Sequence, residues 1–297
     1  MRALVTALLL APVPLAAQVI DDTPRIAVMS AFAPEWNVLQ QGIEKAETHT
    51  INGNDFIAGT LEGKDVLLVL SGVSMVNAAM NTQIALDRFT VDRIVFSGIA
   101  GGVDPAYDIG DVIVPARWGE YLDAIMARET ADGFEIPPWM SSAYPNLGMR
   151  FVRNQTVLRE GLSEPESRFW FPVDPDMLGT AQEVAARVVL PDCAEDGSCL
   201  EATPEIVVGG NGVSGAAFVD NAELRTWALE AFEARVLDME SAAVAHVAYA
   251  NDVPFIAFRS LSDLAGGGEG ANEMETFMDL AATNSATVMR AFLAALD

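Results

Sequence analysis

Histidine and cysteine are almost missing from this chain, with two of each in 297 residues. Structural metal centres draw on clusters of these side chains. The isolated His49 and His246 and the pair Cys193 and Cys199 offer no such cluster, so no metal is expected. Bases are scarce too: 17 Lys and Arg stand against 42 Asp and Glu, a formal net charge of −25. That field repels nucleic acid and anionic membranes, and it disfavours polyanionic substrates unless cations are focused locally. Most of the acids read as a solvated surface that keeps the chain soluble. Past the N-terminus no apolar run is long enough to span a bilayer. Internal repeats and low-complexity linkers are absent. The segment Ser97-Gly98-Ile99-Ala100-Gly101-Gly102, expected as a glycine-rich turn after a strand, lacks GxGxxG spacing, and Gly59-Thr60-Leu61-Glu62-Gly63-Lys64-Asp65 falls short of a Walker A loop. Neither nucleotide-phosphate motif is present.

What is present is a core-forming chain, 51% hydrophobic. Arg2, the apolar run Ala3–Leu10 and a small-residue cleavage site at Leu15-Ala16-Ala17 read as a signal peptide over residues 1–17, which implies export to a periplasm or to the exterior, with a buried first strand or a disordered tail as the alternative. In an exported protein Cys193 and Cys199, six residues apart in a polar loop, are expected to form a local disulfide. His246 falls in an Ala/Val-rich stretch and reads as a core histidine.

From Arg25 onward apolar strands alternate with helical periodicity. Strands are expected at 25–31, 65–70, 93–97, 111–116, 205–208 and 254–258. Helices are expected from Pro34 to about Lys45, and near 76–89, 177–189, 221–234, 240 onward and 275–296. This alternation implies an α/β domain over 18–297, a three-layer arrangement with a central mixed β-sheet flanked by helices. Residues 118–175, rich in Pro, Trp, Tyr and Met, break the pattern. An insertion at about 118–205 is expected, with a separate small domain as the alternative.

Acidic residues sit where such a sheet presents chemistry, at the carboxyl ends of strands. Glu35 follows the first strand, Asp238 and Glu240 start a helix, and Asp263 follows the strand 254–258. Taken singly each has a bland reading. Glu240 could be a helix-dipole partner, Asp263 an N-cap, Glu35 a surface acid, Arg259 a structural ion-pair partner and Phe218 a core residue. The glycine-rich run 264–272 could be a plain connection or a lid over the site.

Taken in order, six segments resemble a known family. They are Ala31-Phe32-Ala33-Pro34-Glu35, Ser97–Gly102, Tyr107–Val112, Ser214-Gly215-Ala216-Ala217-Phe218-Val219, Leu237-Asp238-Met239-Glu240-Ser241-Ala242 and Arg259-Ser260-Leu261-Ser262-Asp263. Together they are similar to the nucleoside phosphorylase/nucleosidase superfamily, nearest to the 5′-methylthioadenosine/S-adenosylhomocysteine nucleosidases, over about 25–117 and 205–295. The resemblance implies cleavage of the N-glycosidic bond of a purine nucleoside to release free base, a reaction for which no metal or organic cofactor is expected. It implies that Asp263, oriented by Ser262, protonates the purine, and that Glu35, with Arg259 near it, activates the water. Glu240 and Met239 would hold the ribose, Phe218 would stack on the base, and the Val219 backbone would read its edge. Ile99 and Gly101 would line the same site. It also implies a homodimer whose partner helps close the pocket.

Two departures bear on the reaction. Phe96 stands where related phosphorylases carry a phosphate-binding arginine, and Ile99 stands where a hydroxyl residue often contacts the water. Without charge-assisted donors for a dianion, hydrolysis is favoured over phosphorolysis. Two rivals stay open: a phosphorylase of the same fold, which would consume phosphate, and a non-enzymatic nucleoside binder, which would release no base.

Overall fold

The apolar runs become neighbouring strands of one sheet in the computed structural model, which describes residues 19–159, 161–194, 197–268 and 270–296. The expected leader, residues 1–17, lies outside the described residues. Strand β1 (Asp21–Ser30) leads into a short helix α1 (Ala33–Leu39), and a meander follows of β2 (Glu44–Ile51), β3 (Asn54–Leu61) and β4 (Lys64–Leu70). Helix α2 (Met75–Arg88) precedes β5 (Phe89–Gly102), β6 (Val112–Val114) and β7 (Arg117–Glu120). Six short strands then form three two-stranded ribbons: β8 (Ala124–Met126) with β11 (Arg150–Val152), β9 (Arg128–Thr130) with β10 (Gly133–Glu135), and β12 (Gln155–Val157) with β13 (Glu166–Arg168). Strand β14 (Trp170–Pro172), helix α3 (Pro175–Ala185), β15 (Ile206–Val208), β16 (Asn211–Ser214), α4 (Ala222–Phe232), β17 (Ala234–Asp238), α5 (Ser241–Ala250), β18 (Phe255–Asp263) and α6 (Met274–Ala295) complete the order.

The main sheet runs β14-β7-β16-β17-β5-β1-β4-β3-β2, with β18 joined to β5 and β6, and β15 to β6. It is mixed: β1 is parallel to β4 and β5, while β17 and β5, and β18 and β6, are antiparallel. Helices α1 and α3 pack on α6, and α2 packs on α5. This is the mixed sheet flanked by helices that the alternation implies. Within 118–205, β7 and β14 belong to the main sheet, and the ribbons lie off it. No helix among the described residues is long and apolar enough to cross a membrane.

Several boundaries differ from the sequence expectation. Helix α1 ends at Leu39 rather than near Lys45, because the chain turns at Gly42, with φ +78°, and enters β2. The glycines after Ser97 form no turn, since β5 continues through Gly102. Its neighbour β18 likewise continues to Asp263, and all nine of its residues are buried between β5 and β6. Phe258 on this strand packs against Phe292 of α6, ring centroids 5.1 Å apart. Each such buried side chain contributes about 1.5–3 kcal/mol, which anchors the strand that carries Arg259, Ser262 and Asp263.

Candidate active site

Strand ends deliver the polar residues to one cleft. It is lined by Glu35, Ile99, Gly101, Phe218, Val219, Asp238, Met239, Glu240, Ser262 and Asp263, and closed by the apolar side chains of Phe32, Val73 and Met274. Every residue expected at the site borders this cleft except Arg259, which is fully buried against Glu35, Asp238 and Glu240.

Glu35 is no surface acid. Pro34 starts α1, which turns Glu35 back into the protein, where it is 3% exposed. Its Oε2 accepts the Ala31 N–H (2.6 Å) and its Oε1 accepts the Ile99 N–H (2.8 Å). Burial raises its pKa, against the opposing pull of Arg259 and these N–H donors. Ile99 thus meets the site through its backbone as well as its side chain. Gly98 beside it is glycine for lack of room, since a Cβ there would overlap Arg259 Nη1 and lie 2.6 Å from Glu35 Oε1.

Arg259 is clamped from one side. Its Nε donates to Ser241 Oγ (2.9 Å) and lies 2.7 Å from Asp238 Oδ2. Its guanidinium carbon stands 4.1 Å from the Phe96 ring centroid, a cation–π contact. So the phenyl group at the phosphorylases' arginine position serves as the floor under this guanidinium. Nη1 and Nη2 make no protein hydrogen bond, and they stand 4.0 Å from Glu35 Oε1 and 3.9 Å from Glu240 Oε2.

Glu240 occupies the N-cap of α5 and is 5% exposed. Its Oε1 accepts the Ser74 N–H at 2.7 Å. Burial, reinforced by the charge of Asp238, pushes its pKa up to about 7. Asp263 ends β18, where Ser262 Oγ donates to its Oδ1 (2.9 Å) and Ala265 N–H (3.0 Å) and Asn272 Nδ2 (3.2 Å) donate to its Oδ2. Burial raises its pKa too, and the three donors oppose the rise. Ala265 and Asn272, from the run that follows the acid, thus both donate to it. Phe218 is 57% exposed at the cleft, not in the core, while Val219 is buried beside it.

Sequence reasoning assigned no role to Asp238 or to Asn272. Asp238 lies within the motif that singled out Glu240, and Asn272 ends the glycine run that singled out a lid. Away from the cleft, Cys193 and Cys199 are joined as a disulfide. His246 stacks on Phe171 (4.4 Å) with its Nδ1 2.8 Å from Glu120 Oε1. No group of three or more His, Cys, Asp or Glu among the described residues could hold a metal ion.

Chemically, the cleft offers one acid supported by hydrogen bonds and a second set of carboxylates joined through an arginine. Comparison with known proteins gives this arrangement a lineage. A 5′-methylthioadenosine/S-adenosylhomocysteine nucleosidase of Bacillus thuringiensis is 30% identical over 88% of this chain and 94% of its own length. The nucleosidase of that name from Colwellia psychrerythraea, solved with adenine, is 26% identical, with TM-score 0.68 over 92% of this chain and 95% of that one. Futalosine hydrolase of Helicobacter pylori shares the fold at TM-score 0.67 and 21% identity, over 92% of this chain and 98% of that one. The phosphorylase superfamily model matches residues 25–294, and the chain belongs to that superfamily.

Proposed function

We propose that this chain hydrolyses the N-glycosidic bond of an adenine nucleoside of the 5′-methylthioadenosine or S-adenosylhomocysteine type and releases free adenine. One observation carries the reading: a single cleft is lined both by a buried, hydrogen-bonded acid, Asp263, and by Glu35 and Glu240, with Arg259 buried behind them. Breaking the bond leaves negative charge on the departing purine and positive charge on the sugar. Asp263, whose burial favours the protonated form, supplies the proton to the base. Glu35 takes a proton from water, and the water oxygen attacks the anomeric carbon. Glu240 accepts hydrogen bonds from the ribose hydroxyls, and its charge stabilises the cationic sugar. Met239 packs on the sugar, Phe218 stacks on the purine and the Val219 backbone reads its edge.

Water is favoured over phosphate as acceptor. No Lys or Arg lines the cleft among the described residues. Arg259 lies behind it, already surrounded by three carboxylates, which would repel a phosphate dianion. The nucleosidase name of the Bacillus relative agrees with this reading. Incubation with adenosine, 5′-methylthioadenosine and S-adenosylhomocysteine, followed by chromatography of free base, tests it. Adenine release from at least one is expected, and tight binding without release would leave a nucleoside binder instead.

The reading extends to an exported homodimer that begins near Gln18. The N-terminal sequence and the Cys193–Cys199 disulfide support export, because such bonds persist in oxidising compartments. Val73 at the cleft, with Val76 and Met80 exposed on and beside α2, supports a partner that covers that edge. Intact-mass analysis of exported material should show loss of the leader, and sedimentation should show twice the chain mass. A retained Met1 or a monomer would reject the corresponding part.

A further inference from the structure

The cleft holds a fourth carboxylate, which neither the family resemblance nor the proposed chemistry uses. Asp238 closes β17 and is 4% exposed. It sits at a junction of hydrogen bonds. Its Oδ1 accepts the Ser214 hydroxyl and the backbone N–H groups of Glu240 (3.3 Å) and Ser241 (3.2 Å). Its Oδ2 pairs as an ion with Arg259 Nε at 2.7 Å, while the single Nε–H donates to Ser241 Oγ. Ser214 Oγ in turn accepts the Ala242 N–H at 2.8 Å. Every partner of Asp238 is therefore on an element that forms the site, namely β16, the start of α5 and β18.

What this clamp does is visible in Arg259. A guanidinium has five N–H donors in a rigid plane, so fixing Nε and laying the plane on Phe96 fixes the direction of both Nη atoms. Those atoms are buried, have no hydrogen-bond partner in the protein, and stop about 4 Å short of Glu35 and Glu240. At that length each contact is an ion pair without a direct hydrogen bond. A buried cation with two free donor groups costs free energy unless something supplies acceptors. The two gaps face the carboxylates assigned to water and to ribose.

We propose that Asp238 is a positioning residue for glycosidic-bond hydrolysis, holding Arg259 by Nε so that Nη1 and Nη2 are presented at the Glu35 and Glu240 gaps. The assignment rests on the hydrolase reading above. Asp238 acts through Arg259 and touches no reacting atom. Replacing it with asparagine keeps an acceptor for Ser214, Glu240 and Ser241 but removes the negative charge 2.7 Å from Arg259 Nε and sets an amide N–H₂ in its place, while the single Nε–H stays with Ser241 Oγ. The guanidinium would then rotate off its direction, and a misplacement of this size costs up to about 100-fold in rate.

The test is a double-mutant cycle on adenine release from the full chain. Asp238→Asn and Asp238→Ser are each made in the native and in the Arg259→Ala background, with folding followed by thermal melts. In the native background kcat should fall about 30- to 100-fold, with KM changed less than about threefold. In the Arg259→Ala background the same substitutions should change kcat less than about threefold. A loss of equal size in both backgrounds would make Asp238 a structural residue and overturn the proposal. So would native-like kcat in a folded Asp238 variant, or failure of both variants to fold. If the native chain releases no adenine, the hydrolase reading fails and this assignment falls with it. Native turnover together with an active Asp238→Asn refutes the assignment alone.

Discussion

Asp263→Asn separates proton donation from everything else the residue does. The side chain is 3% exposed and is held by three donors. Oδ2 accepts two of them, from the Ala265 backbone and the Asn272 amide. Asparagine can keep both by placing its carbonyl oxygen there. Its amide then meets Ser262 Oγ, which can rotate to accept, since the hydroxyl also reaches the Ala100 carbonyl at 3.4 Å. The fold should therefore lose no more than about 1 kcal/mol, the scale of one neutral hydrogen bond. The chemistry should lose much more, because an amide does not give up a proton to a leaving purine. General acid catalysis is worth about 100- to 10,000-fold, which is about 2.7–5.4 kcal/mol of barrier. The assay is adenine release at saturating nucleoside beside a thermal melt of the same preparation. Native kcat in a folded Asp263→Asn chain would refute the role, and a collapsed melt would refute the hydrogen-bond argument.

Three further outcomes follow from the geometry. Gly98→Ala should lower kcat at least about 100-fold with about 1–3 kcal/mol lost stability, because the added methyl overlaps Arg259 Nη1 and crowds Glu35; kinetics and melts on one preparation check both. Glu240 has a folded pKa raised from 4.5 to about 7, so the folded chain binds more protons than the unfolded one between those values. Its contribution to stability is then fullest below pH 4.5 and falls as pH rises through about 7. Melts of Glu240→Gln should show a flatter pH dependence across that window, and an unchanged slope would contradict the shift. Replacing both Cys193 and Cys199 by serine opens a loop of separation 6, which should cost about 2 kcal/mol in denaturant unfolding and leave kcat unchanged.

The site was more legible in the sequence than the strands that carry it. Six short segments in order named Glu35, Glu240 and Asp263, since the chemistry needs those side chains at strand ends. Their surroundings were less visible. Strand β2 carries Glu44-Lys45-Ala46-Glu47 on an exposed edge, so no apolar alternation marks it. The hairpin signals Asn52-Gly53 and Glu62-Gly63, all at positive φ, were the clue, because type I′ turns demand that conformation. The glycines of β5 read as a turn because glycine is a poor strand former. They stand in the strand because neighbours come close: Arg259 and Glu35 at Gly98, Ala265 at Gly101 and Leu264 at Gly102. Asp238 went unassigned because its partners Ser214 and Arg259 are distant in sequence, and only the pairing of β16 with β17 and the burial of β18 bring them together.

The central claim is that water, not phosphate, attacks the sugar. The most direct measurement is turnover of 5′-methylthioadenosine in 18O-labelled water, with and without inorganic phosphate, and mass analysis of the sugar product. The account predicts adenine and free 5-methylthioribose at the same rate in both, with the label on the anomeric oxygen. Phosphate-dependent turnover that yields an unlabelled sugar 1-phosphate would contradict it.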